Sequence, residues 1–262
     1  MTSGTELLWT IKDQEGIEGR TLDASRIEHL ERMLRTLYGN EIIVQSLERL
    51  RSRKNVVLHL VLRDGTETID VVSKLFIEES FKIETEVLTL GTKVPLSVPS
   101  IVAADDGVLL MKFIDGIPLV DVVNETFDET LVEMLAEWYH DFHHRTGHIK
   151  GDPRLRNFIL SSGQIYGFDF EEYRCDHWMQ DIGGISASIL DTRPVFDKRK
   201  VELVWHLLET YLALSNQERD KSIDVQFTEV IANTLEQTAK WRDDAEILAH
   251  ARRVRQYGLL LE

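Results

Sequence analysis

The sequence predicts an α+β protein in two halves, the first rich in strands with one long helix, the second helical. Three observations support this. Runs that read as strands lie between residues 55 and 112, punctuated by Asp64-Gly65 and Asp106-Gly107, dipeptides suited to tight hairpin turns. After Asp115-Gly116 the apolar residues recur at helical rather than strand spacing. A length of 262 residues is enough for one large domain or two lobes with a sizeable core.

The elements follow in order. "SRIEHLERMLRTLYGN" sets Ile27, Leu30, Leu34 and Leu37 on one helical face, with Gly39 as a natural stop. "EIIVQSLERL" leads into "NVVLHLVLRDG" and "TETIDVVSKLFI", the last two read as strands turning at Asp64-Gly65. "EESFKIETEVLTLG" reads as a helix ending at Gly91, and "PSIVAADDGVLLMKFIDG" as two short strands around Asp106-Gly107. A connector is expected near residues 112–118. Beyond it, "TFDETLVEMLAEWYHDFHHR" opens on an expected capping box, Thr126 with Glu129, and carries Leu131, Leu135, Trp138 and Phe142 on one face. Helices are expected over about 178–190, 196–214, 224–240 and 242–257. The expected organisation is an N-terminal extension over 1–39, a nucleotide-binding half over 40–114 and a catalytic half over 115–262.

Composition narrows the function. A formal net charge of −15 opposes duplex nucleic acid, so no nucleic-acid partner is expected and any phosphate site must be local. No apolar run reaches the length of a membrane span and the first residues do not read as a signal peptide. Cys175 is the only cysteine, which rules out an internal disulfide and fits a reducing cytosol, so a cytoplasmic location is expected.

The chemistry concentrates in "KGDPRLRNFILSSGQIYGFDFEEY", residues 150–173. Asp152 lies in a polar loop, Asn157 follows five residues on, and Asp169 comes after a short apolar hairpin. Magnesium takes hard oxygen ligands and usually binds one or two protein side chains plus substrate phosphates. A hairpin can bring the Asn157 amide and the Asp169 carboxylate to one metal, while Asp152 orients a hydroxyl and accepts its proton. A strand Lys on the nucleotide phosphates, held by a Glu on the next helix, should lie upstream; Lys74 and Glu86 are in order, with Glu84 close by.

On "GDPRLRN", "YGFDFEEY" and "QDIGG" the chain resembles the aminoglycoside phosphotransferase and choline kinase family of the protein-kinase-like superfamily. The resemblance implies a bilobal fold with an antiparallel sheet and a helix in the first lobe and a mainly helical second lobe. It implies Asp152 as catalytic base, Asn157 and Asp169 as metal ligands, Asp181 as structural brace, and Lys74 with Glu86 as the ion pair. "VPSIVAADDGVLLMKFIDGIPL" is similar to the family's passage into the hinge, which assigns Met111 and Phe113 to the nucleotide. ATP and magnesium are the implied cofactors, and a small-molecule hydroxyl the implied acceptor. Three departures stand out. Lys150 replaces the family's usual His, no glycine-rich loop precedes Lys74, and Arg154 stands where protein kinases place a Lys two residues after the base. A cation at Arg154 suits contact with the transferring phosphoryl group.

Glu171, Glu172 and Asp176, with Trp178, form an acidic and aromatic stretch after Asp169. It is expected to bind the acceptor, with a preference for a hydroxylated amine or amino-sugar. The alternatives are a small atypical protein Ser/Thr kinase, disfavoured by the roughly 80 residues after Asp181, and a nucleotide-binding pseudokinase, disfavoured by the retained acidic set. The His-rich "HDFHHRTGH" reads as a polar helix end, and the arginines of "WRDDAEILAHARRVRQY" as a solvated face.

Overall fold

A computed structural model describes residues 4–12, 21–52, 54–77 and 80–259. The chain divides into two compact units, Met1–Ile114 and Asp115–Glu262.

The first unit is built on a five-stranded antiparallel sheet in the order β1-β2-β3-β5-β4. Its strands are β1 Ile43–Leu50, β2 Val56–Asp64, β3 Glu67–Leu75, β4 Ile101–Asp105 and β5 Val108–Lys112. Alternation along β2 buries Val56, Leu58, Leu60 and Leu62 on one face, as a half-covered strand must. That face packs with helix α1, Ala24–Tyr38, through Ile27, Leu30 and Leu34. Asp23 caps α1 by accepting from the Ser25 N–H, and Gly39 ends it at φ 88°, a conformation that favours glycine. Leu37, expected on the buried face, is instead exposed, and Met33 is buried in its place. The segment expected as an extension also contributes Leu8 and Ile11 of a 3₁₀ turn to the same core, so it is part of the first unit rather than an appendage. Helix α2, Phe81–Gly91, follows β3; residues 78 and 79, expected within it, lie outside the described residues.

The second unit holds a small antiparallel sheet and most of the helix. Strands β6 Ile117–Pro118, β7 Phe158–Ser161 and β8 Gln164–Gly167 pair in that order. The helices are α3 Leu119–Thr126, α4 Glu129–Thr146, α5 Met179–Leu190, α6 Lys198–Leu214, α7 Lys221–Arg242 and α8 Ala245–Tyr257. The expected capping box at Thr126 does not form. Phe127 adopts φ 52° and ends α3, the Thr126 hydroxyl donates back to the Val122 carbonyl, and Asp128 caps α4 by accepting from the Thr130 N–H. The short helix α3 was not expected at all. Helix α5 is buried along nearly its whole length and packs against α6 and α7, which makes it the central post of this unit.

Candidate active site

In the first unit the side chain that matters is Lys74 on β3. It is buried, and its Nζ lies 2.6 Å from Glu84 Oε2 on α2, which is buried too. This corrects the expected partner. Helix α2 turns Glu84, Val87 and Leu88 inward, a spacing of three and four residues, whereas Glu86 lies two residues from Glu84, roughly 200° around the helix, and is exposed. Cross-strand register places Val57, Lys74 and Leu109 in one row across β2, β3 and β5, and His59, Val72 and Met111 in the next. Phe113, just past β5, is half-buried and stacks on His59 with ring centres 4.0 Å apart.

In the second unit the segment between α4 and β7 is templated by α5. Asp181, wholly buried, accepts the Lys150 N–H at 2.6 Å and the Gly151 N–H at 3.0 Å. Three residues along, Gly184 lets Pro153 approach where a Cβ would meet it at 2.3 Å. Four further on, the Ser188 hydroxyl accepts from the Leu155 N–H at 3.0 Å. One face of one helix thus sets the loop backbone at three points, because positions three and seven along share a helical stripe. Gly151 has φ 88° and passes so close to the Glu172 carbonyl that a Cβ would lie 2.0 Å from it, so only glycine fits there.

Within this frame Asp152 is partly exposed and is held by two neighbours. Asn157 Nδ2 donates to its Oδ2 at 2.9 Å and Arg154 Nε to its Oδ1 at 3.3 Å. The β7–β8 hairpin turns at Ser162-Gly163, and the Phe168 N–H donates to the Asn157 carbonyl at its base, so Asp169 is brought to the end of the hairpin that Asn157 begins. Asp169 adopts φ 64°, uncommon for a residue with a side chain and frequent at functional turns. Lys150, where a His was usual in the resemblance, is completely buried. Its Nζ donates to the carbonyls of both Asp152 and Asp169, at 3.0 and 2.8 Å, and lies over the rings of Phe158 and Phe170. One ammonium therefore ties the two acidic segments together.

No protein-family model matches this sequence and no curated protein matches it. Solved structures do. The amicoumacin kinase hAmiN, in complex with AMP-PNP, Ca2+ and Ami, superposes with a TM-score of 0.62 at 14% identity, over 88% of this chain and 94% of that one. Choline kinase from Cryptosporidium parvum Iowa II gives 0.57 at 13% identity, over 89% and 97%. The gentamicin complex of APH(2'')-IIa gives 0.57 at 15% identity, over 92% and 99%. The chain has the protein-kinase-like fold of these kinases.

Within that fold, the remaining expected residues fall as follows. Arg154 is turned toward α7: its NH1 donates to the buried Thr238 hydroxyl at 3.1 Å and its guanidinium lies over Trp241. Its nearest carboxylate is Asp152 itself, so it orients that group. Asp176 accepts from the His177 N–H and pairs with Arg174 at 3.4 Å, while Trp178 is half-buried against Tyr211. Glu171 is partly exposed and Glu172 exposed.

Two participants, His143 and Ser188, carried no expected role. His143 on α4 lies 3.0 Å from Asp181 Oδ2 through Nε2 and 2.8 Å from the Tyr211 hydroxyl through Nδ1. A carboxylate only accepts, so Nε2 carries the proton. Burial, with the Asp181 charge nearby, raises the Tyr211 hydroxyl's pKa, so that group stays neutral. The buried Tyr139 phenol is raised still more clearly, by burial and then by Asp181 and Asp152. Ser188 is the second, and its place seven residues after Asp181 was a readable helical signal. Glu84, named beside Glu86, is favoured by its periodicity with Val87 and Leu88, which was readable too.

Proposed function

We propose that this chain transfers the γ-phosphoryl group of ATP to a hydroxyl of a small molecule. The observation that carries the reading is the Asp152 carboxylate, accessible yet fixed by Asn157 and Arg154, in a loop that Lys150 joins to Asp169. Phosphoryl transfer through a loose transition state asks little covalent work of the protein; positioning and charge stabilisation dominate. Asp152 orients the acceptor hydroxyl and takes its proton. Arg154 holds one oxygen of that carboxylate and Asn157 the other. Lys74, fixed by Glu84, serves the nucleotide phosphates, and Met111 and Phe113 lie on the nucleotide's path.

The donor set fits magnesium. Asn157 commits its amide nitrogen to Asp152, which leaves its amide oxygen as the ligand, and Asp169 adds a carboxylate; both are the hard oxygens that magnesium prefers. A cation held there would neutralise charge on the transferring phosphates. For the acceptor we propose a hydroxylated amine or amino-sugar. Glu171, Glu172 and Asp176 would supply charge attraction, and Trp178 an aromatic face.

The test is ADP release from ATP and magnesium across a panel of hydroxylated amines, amino-sugars and sugar phosphates. Asp152→Asn should lower turnover on the best acceptor by about two to four orders of magnitude, the usual scale for a general base. Calorimetric ATP affinity should be retained. Wild-type turnover in that variant would remove Asp152 from the mechanism.

A further inference from the structure

We propose that His59 recognises the base of the bound nucleotide by stacking, an inference that rests on the phosphotransfer reading. Directly paired residues of neighbouring antiparallel strands project to the same face. The row Val57–Lys74–Leu109 and the row His59–Val72–Met111 therefore share one face of the first unit's sheet, two residues or about 7 Å apart along the strands. The alternate row, Leu58–Ser73–Leu110, faces the core that includes α1. If Lys74 attends the phosphates, a base on the far side of the ribose meets the adjacent row.

That row offers an aromatic ring held from two directions. His59 Nε2 lies 2.9 Å from Asp70 Oδ1 on β3, and the imidazole stacks on Phe113 with 13° between planes. The backbone closes the same corner, with the Phe113 N–H donating to the Asp70 carbonyl. A ring fixed before the ligand arrives loses little conformational entropy on binding. Its neighbours on the same strand face, Val57 and Val61, are aliphatic. A purely structural residue here would be expected to match them, whereas an imidazole brings a polar ring that needs Asp70 to hold it. Val72 and Met111, paired across the strands beside it, add apolar side chains suited to the π face of a purine.

Two probes separate base from phosphate: AMP-PNP and inorganic tripolyphosphate, each titrated calorimetrically with magnesium into the full chain. His59→Ala should weaken AMP-PNP about tenfold, the scale of losing one base–aromatic stack, and leave tripolyphosphate binding within about twofold. His59→Phe should restore AMP-PNP affinity, whereas His59→Val, matching the flanking residues, should not. Thermal melting of each variant checks that the sheet is intact. Wild-type AMP-PNP affinity in His59→Ala would overturn the proposal alone. So would parallel loss of both probes, or equal rescue by Val and Phe. A wild-type chain that binds neither probe would overturn the phosphotransfer reading and this inference with it.

Discussion

Lys74 and Asp152 are the two side chains on which the proposed chemistry turns, and they are held in contrasting ways. Lys74 is held by a close ion pair whose partner is borne by a helix that begins several residues after its own strand, and its ammonium lies over the Phe76 ring. Asp152 sits in a loop pinned by Asp181 and Ser188, by the Lys150 ammonium and by its own contacts with Asn157 and Arg154. The first arrangement turns on a contact between side chains of two separate elements, a strand and the helix after it. The second distributes its geometry, so that most of the loop's polar backbone is satisfied before any ligand binds. A general base needs such preorganisation, because small displacements of a reacting group are costly.

If that contrast is right, the largest effect should come from the post beneath the distributed half. Asp181→Ala removes a wholly buried carboxylate and strands the Lys150 and Gly151 N–H groups with His143. A loss of about 3–5 kcal/mol is expected in denaturant unfolding of the second unit, on the scale of breaking a buried charged network. A loss under about 1 kcal/mol would mean the loop is held elsewhere.

The next test addresses the contact between Lys74 and Glu84. Glu84→Gln should weaken productive ATP use and cost about 2–3 kcal/mol of stability, because it removes a buried carboxylate held 2.6 Å from a buried ammonium. Glu86→Gln, exposed on the far side of α2, should change stability by no more than about 0.5 kcal/mol and leave ATP use intact. In a double-mutant cycle, Lys74 and Glu84 should be strongly non-additive and Lys74 and Glu86 additive. Equal effects at 84 and 86 would dissolve the pairing.

The smallest effect lies away from both regions and asks whether buried charge as such weighs on the second unit. Lys200 is completely buried and donates from Nζ to the Thr192 carbonyl at 2.6 Å and hydroxyl at 2.9 Å. Burial lowers its pKa from 10.5 to about 8, against the opposing pull of Asp191 and Asp197. Between about 8 and 10.5 the unfolded chain binds more protons at this site than the folded one, so its contribution makes stability rise with pH across that window. Lys200→Met should remove that rise, read from unfolding midpoints at pH 8 and 10. An unchanged slope would show that the folded lysine titrates as it does in water.

Where sequence and structure agree, short-range physics was in charge. The Asp64-Gly65 and Asp106-Gly107 hairpins form with Gly65 and Gly107 at positive φ, as their turn chemistry requires. Where they part, a helix's rotation or a distant packing partner decided. Thr126 lost its capping role because Phe127 took a left-handed conformation and ended an unexpected helix, α3. Leu37 gave way to Met33 because the sheet covers only one stripe of α1. Arg154 donates to Thr238, 84 residues on, a partner that the local sequence does not point to.

The sequence by itself determined the order and spacing of Asp152, Asn157 and Asp169, because a hairpin of two four-residue strands leaves its ends only one way to meet. It determined Lys74's strand as well, through the turn that begins it. Only the tertiary structure decided that Glu84 rather than Glu86 meets Lys74, that His143 braces Asp181, and that α5 carries the loop along one stripe. Those choices depend on how each helix is rotated about its axis, which burial against the rest of its unit sets and which neighbouring residues along the chain leave open.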